Sequence, residues 1–167
     1  MDNKNIKEFI LPIALMAGLA RVILDFLPKM LDASPAIYYS TFLICFIAEV
    51  VLLTIVTKRF KKLNDNYLTT RQAISIGVTA MVIIGTLYGL SSYIYDNFID
   101  EFYQTNTMIR WGQMWGPEAE QAINQQIKDN PPVTNITAIF ITIVRFSILG
   151  LIISAIIGAV LKTKKLE

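Results

Sequence analysis

Four uninterrupted apolar runs decide what this chain can fold into. They cover residues 9–27, 36–56, 73–95 and 136–161, about 19 to 26 residues each. At about 1.5 Å of rise per residue, a helix of that length crosses the roughly 30 Å hydrocarbon core of a bilayer. Hydrocarbon leaves no backbone polar group unpaired, so segments of this kind are expected as helices. The expected fold is all-α, a four-helix transmembrane bundle in one integral membrane domain spanning residues 1–167. The first run is too long for a signal-peptide core and carries Arg21 and Asp25, so it reads as an uncleaved span.

Charge asymmetry orients the four spans. One side collects Lys4, Lys7, Lys58, Arg59, Lys61, Lys62, Arg71, Lys162, Lys164 and Lys165. These ten cations face four carboxylates, a net of +6. The opposite side has Lys29, Arg110 and Lys128 against seven carboxylates, a net of −4. Both termini are therefore expected in the cytoplasm. Residues 96–132 become a sizeable extracytoplasmic loop between the third and fourth spans.

Local signals punctuate the chain. Residues 28–35 form a short outer connection, and the basic cytoplasmic connection runs from Thr57 to about Tyr67. Thr69 followed by Gln72 fits a capping box at the start of the third helix. The 96–132 loop reads as two short helices. One covers about 97–115 and is broken at Gly116-Pro117. The second opens on Pro117 with Glu118 and Glu120 in its first turn and closes before Pro131-Pro132. Trp111 and Trp115 are the expected interfacial anchors of this loop.

Four ionisable residues fall inside the apolar runs: Arg21, Asp25, Glu49 and Arg145. A charge at membrane depth costs kilocalories unless it is paired or lines a polar cavity. Side chains lean toward the N-terminus of their own helix. Arg21 and Glu49, on antiparallel helices, therefore lean toward each other across a depth difference of roughly 8 Å. Asp25 and Arg145 are expected at similar depth. The expected arrangement is a chain of contacts, Glu49–Arg21–Asp25–Arg145. It would act either as a network fixing helix order or as an ion or solute site.

Small residues recur at four-residue spacing: Gly85 and Gly89 in the third span, Gly150, Ser154 and Gly158 in the fourth. Such faces let helices approach closely in lipid, within the bundle or between copies. There is no His, which removes His-based zinc sites and Ser-His or Cys-His catalysis. The lone Cys45 lies inside the second span and can form no internal disulfide. No Gly-rich nucleotide loop occurs, and the basic residues are explained by topology rather than by nucleic acid. No catalytic residue, metal ligand or cofactor is expected.

The second half of the chain resembles a known family. The run from Leu68 through Gly77, Tyr93-Ile94-Tyr95, Phe98 to Phe102, the Glu-rich helix from Pro117 to Ile127 and the closing segment from Gly150 to Ile157 carry the likeness. They are similar to a Bacteroidota family of small four-helix inner-membrane proteins, domain-of-unknown-function family 4199. The resemblance implies a bacterial inner membrane and the same four-span layout, and it brings no activity with it.

The sequence therefore points to a non-enzymatic polytopic protein of the inner membrane. Its expected surroundings are the lipid bilayer and a membrane-protein partner or a second copy. The leading expectation is an accessory or interaction subunit; the alternative is a small ion or solute transporter or channel using the charged cluster.

Overall fold

A computed structural model describes residues 3–132 and 135–163. The described residues form six α-helices and no strand: α1 (Asn3–Met30), α2 (Pro35–Leu63), α3 (Thr70–Phe98), α4 (Tyr103–Trp115), α5 (Pro117–Asp129) and α6 (Ile136–Leu161). The tail residues Lys164 and Lys165 lie outside the described residues. Four helices, α1, α2, α3 and α6, are long and apolar enough to cross a membrane. The 28 residues of α1 would extend about 42 Å; α1, α2 and α3 outrun their apolar runs at both ends, while α6 coincides with its run.

This lengthening corrects the expected boundaries: α3 runs to Phe98, so the first loop helix opens at Tyr103 rather than near residue 97. Pro28 lies in the last turn of α1, and only residues 31–34 connect α1 to α2. Ser34 caps α2, its hydroxyl accepting from the Ile37 amide, with Pro35 in the first turn where a missing N–H costs nothing. At its other end α2 continues to Leu63, so Lys58, Arg59, Lys61 and Lys62 lie on helix rather than in a loop.

The turn into α3 is tight. Asp65 and Asn66 take positive φ of 51° and 59°, a region that Asp and Asn enter more readily than most residues. The capping box then forms as the sequence predicts: Thr69 accepts from the Gln72 amide at 3.1 Å, and Gln72 accepts from the Thr69 amide at 2.9 Å. The end of α6 is tied to this turn. The Thr163 amide donates to the Leu68 carbonyl at 2.9 Å, and Lys61 Nζ donates to the Leu161 carbonyl at 2.9 Å.

The four long helices do not share contacts equally. α3 is central and packs closely along α6 and α1, whereas α2 touches its neighbours lightly. The reason is side-chain size. Gly77 faces Ser154 and the Gly150 carbonyl, Gly85 faces Phe146, and Gly158 faces Ala73. A Cβ added at Gly85 would lie 2.7 Å from Phe146 Cβ, and one at Gly158 2.9 Å from Ala73 Cβ. On the other side of α3, Gly18 of α1 leaves room for Leu87. The helix α2 has no such small-residue seam.

Packing is therefore uneven along the molecule. Near the end where α1 begins and α6 finishes, Ile6, Ile10, Phe60, Leu68, Ile76, Met81 and Ile157 form a closed apolar core. At the opposite end α2 stands away from α6, and α4 with α5 forms a helical hairpin across the gap. Gly116, at φ 101°, makes the sharp corner between these two short helices. Gly112 allows them to touch, since a Cβ there would lie 3.0 Å from Ile123.

A charged cavity between the helices

The buried charges of α1 recur every four residues: Arg21, Asp25 and Lys29. They organise two tiers about 12 Å apart along the helix, the rise of eight residues. In the deeper tier Arg21 Nη1 donates to Glu49 Oε1 at 2.9 Å. Three rings surround the guanidinium, with centroids 5.5 Å away for Phe42, 4.9 Å for Tyr88 and 5.4 Å for Phe146. Ring faces of this kind attract a desolvated cation, so the site compensates Arg21 by a carboxylate and by quadrupoles together. The sequence expectation that Arg21 meets Glu49 describes this contact.

The second tier differs from the expectation. Asp25 pairs with Lys29, not with Arg145; Lys29 Nζ stands 2.9 Å from Asp25 Oδ2 and 3.8 Å from Asp96 Oδ1. The physical reason is proximity along one helix. Lys29 lies one turn beyond Asp25 on the same face, and α1 runs unbroken through Pro28 to present it. The ammonium is enclosed by Tyr95, Tyr103 and Tyr38 at 4.8, 5.5 and 5.9 Å. These rings pack edge to face. Asp96 also accepts from Gln104 Nε2 at 2.8 Å and Ser92 Oγ at 3.2 Å. Burial pushes the Tyr103 phenol up to about 12, so this ring is neutral at ordinary pH.

Lys29, Asp96 and Tyr103 are functional-site neighbours that the hydropathy pattern places outside the membrane, whereas Tyr38 and Tyr95 fall inside the second and third apolar runs. The signal for Lys29 is its four-residue spacing from Asp25 and Arg21, which puts all three on one helix face.

Between α2, α3, α6 and the α4–α5 hairpin lies a cavity of about 770 Å³. Arg21, Glu49 and Arg145 line its deep part, Asp96 and Gln104 its mouth, and Phe42 and Phe46 its wall. Arg145 also lines this space and does not make the expected contact with Asp25. It is exposed, and among the described residues no carboxylate forms an ion pair with it. Phe146, its neighbour in sequence, packs on Gly85 and Tyr88, which sets Arg145 near the level of the Arg21 tier.

The remaining predicted residues fall in three places. Gly85, Gly150, Ser154 and Gly158 are inside the α3–α6 seam, and Gly89 faces Thr142 there at a looser 3.4 Å. Ser154 Oγ donates to the Gly150 carbonyl. Trp111 is half-buried and meets Tyr39 at 5.0 Å, whereas Trp115 is 69% exposed. On the far side of α4, Arg110 pairs with Asp32 of the α1–α2 turn at 2.6 Å. No cluster of three or more His, Cys, Asp or Glu suited to a metal occurs among the described residues.

A chain with four long apolar helices and buried ion pairs between them is a polytopic helical membrane protein. A family model matches residues 10–163, and the chain belongs to that family, described as "Protein of unknown function (DUF4199)". No curated protein and no solved structure matches the chain.

Proposed function

We propose that this protein handles a small ion or solute in the membrane, without catalysing a chemical reaction, and that the charged cavity is its site. The observation that carries this reading is the convergence of Arg21, Glu49 and Arg145, from three different helices, on one space of about 770 Å³. That volume lies within the range of small-molecule sites, and its few polar groups sit against an aromatic wall. A network that served only to fix helix order would need no such space beside it.

In this reading the protein lies in a bacterial inner membrane with both termini cytoplasmic. The α4–α5 hairpin is then extracytoplasmic and covers the cavity mouth, with Trp111 and Trp115 at the interface. An accessory-subunit role draws on a different observation: Phe98, Ile99, Phe102 and Trp115 are exposed around the hairpin. The small-residue faces give it less support, because α3 and α6 use theirs on each other.

The deciding experiment reconstitutes the purified chain in liposomes and measures passage of a panel of labelled inorganic and organic ions. Glu49→Gln, which uncouples the deep ion pair, is expected to lower flux at least roughly tenfold, the effect of losing about 1.4 kcal/mol. Flux absent from the unaltered protein, with a second membrane protein co-purifying in stoichiometric amount, would replace this reading with the accessory one.

A further inference from the structure

We infer that the deep part of the cavity is an anion site, in which Arg145 holds the acidic group of an amphipathic organic anion. The inference rests on the cavity being a solute site and names the class of solute. Its starting point is an imbalance among three cations. Arg21 has Glu49 and three rings; Lys29 has two carboxylates and three rings. Arg145 has no ion-pair partner among the described residues, yet it lies ten residues into the apolar helix α6.

An uncompensated guanidinium at that depth is costly, and an anion that enters the cavity removes the cost. Among the described residues nothing competes for the role. Glu49 is held by Arg21, and Asp96 lies eleven residues beyond Gly85 along α3, about 16 Å nearer the mouth. The deep part therefore carries one net positive charge: two arginines against one carboxylate. Side chains of α6 lean toward its N-terminus, so Arg145 points up the cavity toward an arriving ligand.

The walls set the rest of the ligand. Phe42, Phe46 and Tyr88 offer aromatic surface and no charge. A guanidinium suits a planar carboxylate or a phosphate, which it can grip with two parallel N–H donors. The class is thus a carboxylate or phosphate monoester on an alkyl or aryl body. A free amphiphile and a bilayer lipid both present that chemistry.

The test is equilibrium binding to the full chain in phosphatidylcholine nanodiscs, with empty discs subtracted. Labelled dodecanoate is the probe; unlabelled dodecanol and dodecyl phosphate are competitors. Dodecanoate is expected to saturate at one per chain and to yield to dodecyl phosphate but not to dodecanol. Arg145→Gln is expected to weaken it roughly tenfold to a hundredfold, the loss of one charge-assisted pair. Arg145→Lys should restore most of that loss.

Displacement by phosphatidic acid added to the disc would identify a lipid source; displacement by inorganic phosphate alone would identify a water-borne one. Both support the site. Binding unchanged in Arg145→Gln, or dodecanol competing as well as dodecyl phosphate, would overturn it. Ala138→Trp narrows the same cavity without changing charge and should also weaken dodecanoate, so the result does not hang on one variant. Unchanged binding there would place the ligand elsewhere and overturn the proposal. The measurement needs no flux. Loss of the anion site leaves solute passage standing, and binding without passage supports the site while failing the transport reading.

Discussion

Lys29 shows how one side chain can tie an element together inside a membrane protein. Its ammonium, fully buried, stands between Asp25 of its own helix and Asp96 of α3, under three tyrosine rings. Removing one member of a buried pair leaves an uncompensated charge, which costs more than the pair itself contributes. Lys29→Met should therefore destabilise the protein by about 3 kcal/mol or more, read by denaturant unfolding in detergent. Adding Asp25→Asn to that variant should recover part of the loss, because it removes one of the two stranded carboxylates. An unchanged midpoint in Lys29→Met would mean that the pair has no structural weight. At this scale the sequence was half legible. Opposed lean of side chains on antiparallel helices leads correctly to Arg21 with Glu49. The partner of Asp25 was missed because an apolar run was taken to end at Pro28, whereas a proline in the last turn does not end this helix.

Among the elements, α3 does most of the packing, and its glycines are not equivalent. A Cβ at Gly150 of α6 would lie 2.8 Å from the Gly77 carbonyl oxygen and 2.8 Å from Met81 Cβ. The first of these neighbours is backbone and cannot swing away. A Cβ at Gly89 would lie 3.4 Å from Thr142 Cβ, which is ordinary contact. Gly150→Ala is thus expected to destabilise by about 1–3 kcal/mol through overpacking. Gly89→Ala should shift stability by about 1 kcal/mol at most, with helix propensity favouring Ala. Comparable losses from both substitutions, measured by the same unfolding titration, would contradict the seam described here. The four-residue spacing of small residues signals a close helix contact but does not rank its positions. Ranking needs the facing residue: Phe146 for Gly85, the Gly77 backbone for Gly150, Thr142 for Gly89. Helix ends were legible where caps exist, as at Thr69 and Gly116, and were missed where polar residues simply extend the helix, as from Thr57 to Leu63.

Taken whole, the molecule is polar along its long axis. The end where α1 begins and α6 finishes is basic and closed: Phe60, Ile6 and Ile10 fill it, and Lys61 and Thr163 tie α6 to the neighbouring turn. The other end is open, charged and covered by α4 and α5. Small-residue contacts join α3 to α6 along both halves, from Gly158 at the closed end to Gly89 beside the cavity, so the halves differ in where α2 stands. The long apolar runs made the helix count legible. The cavity was not, because its volume depends on how far α2 stands from α6, which no periodicity encodes. The charge asymmetry turns this internal axis into an orientation in the membrane: cationic segments are retained on the cytoplasmic side, so the open end should face outward. Chemical labelling tests it. In a Cys45→Ala background, a single cysteine is placed either at exposed Gln125 of α5 or at exposed Lys62 at the basic end. In intact cells made permeable only across any outer barrier, a maleimide that cannot cross the inner membrane should label Gln125→Cys and spare Lys62→Cys. Lysis should expose both. The reverse pattern would put the cavity mouth in the cytoplasm, and the same arginines would then meet anions made inside the cell rather than those arriving from outside.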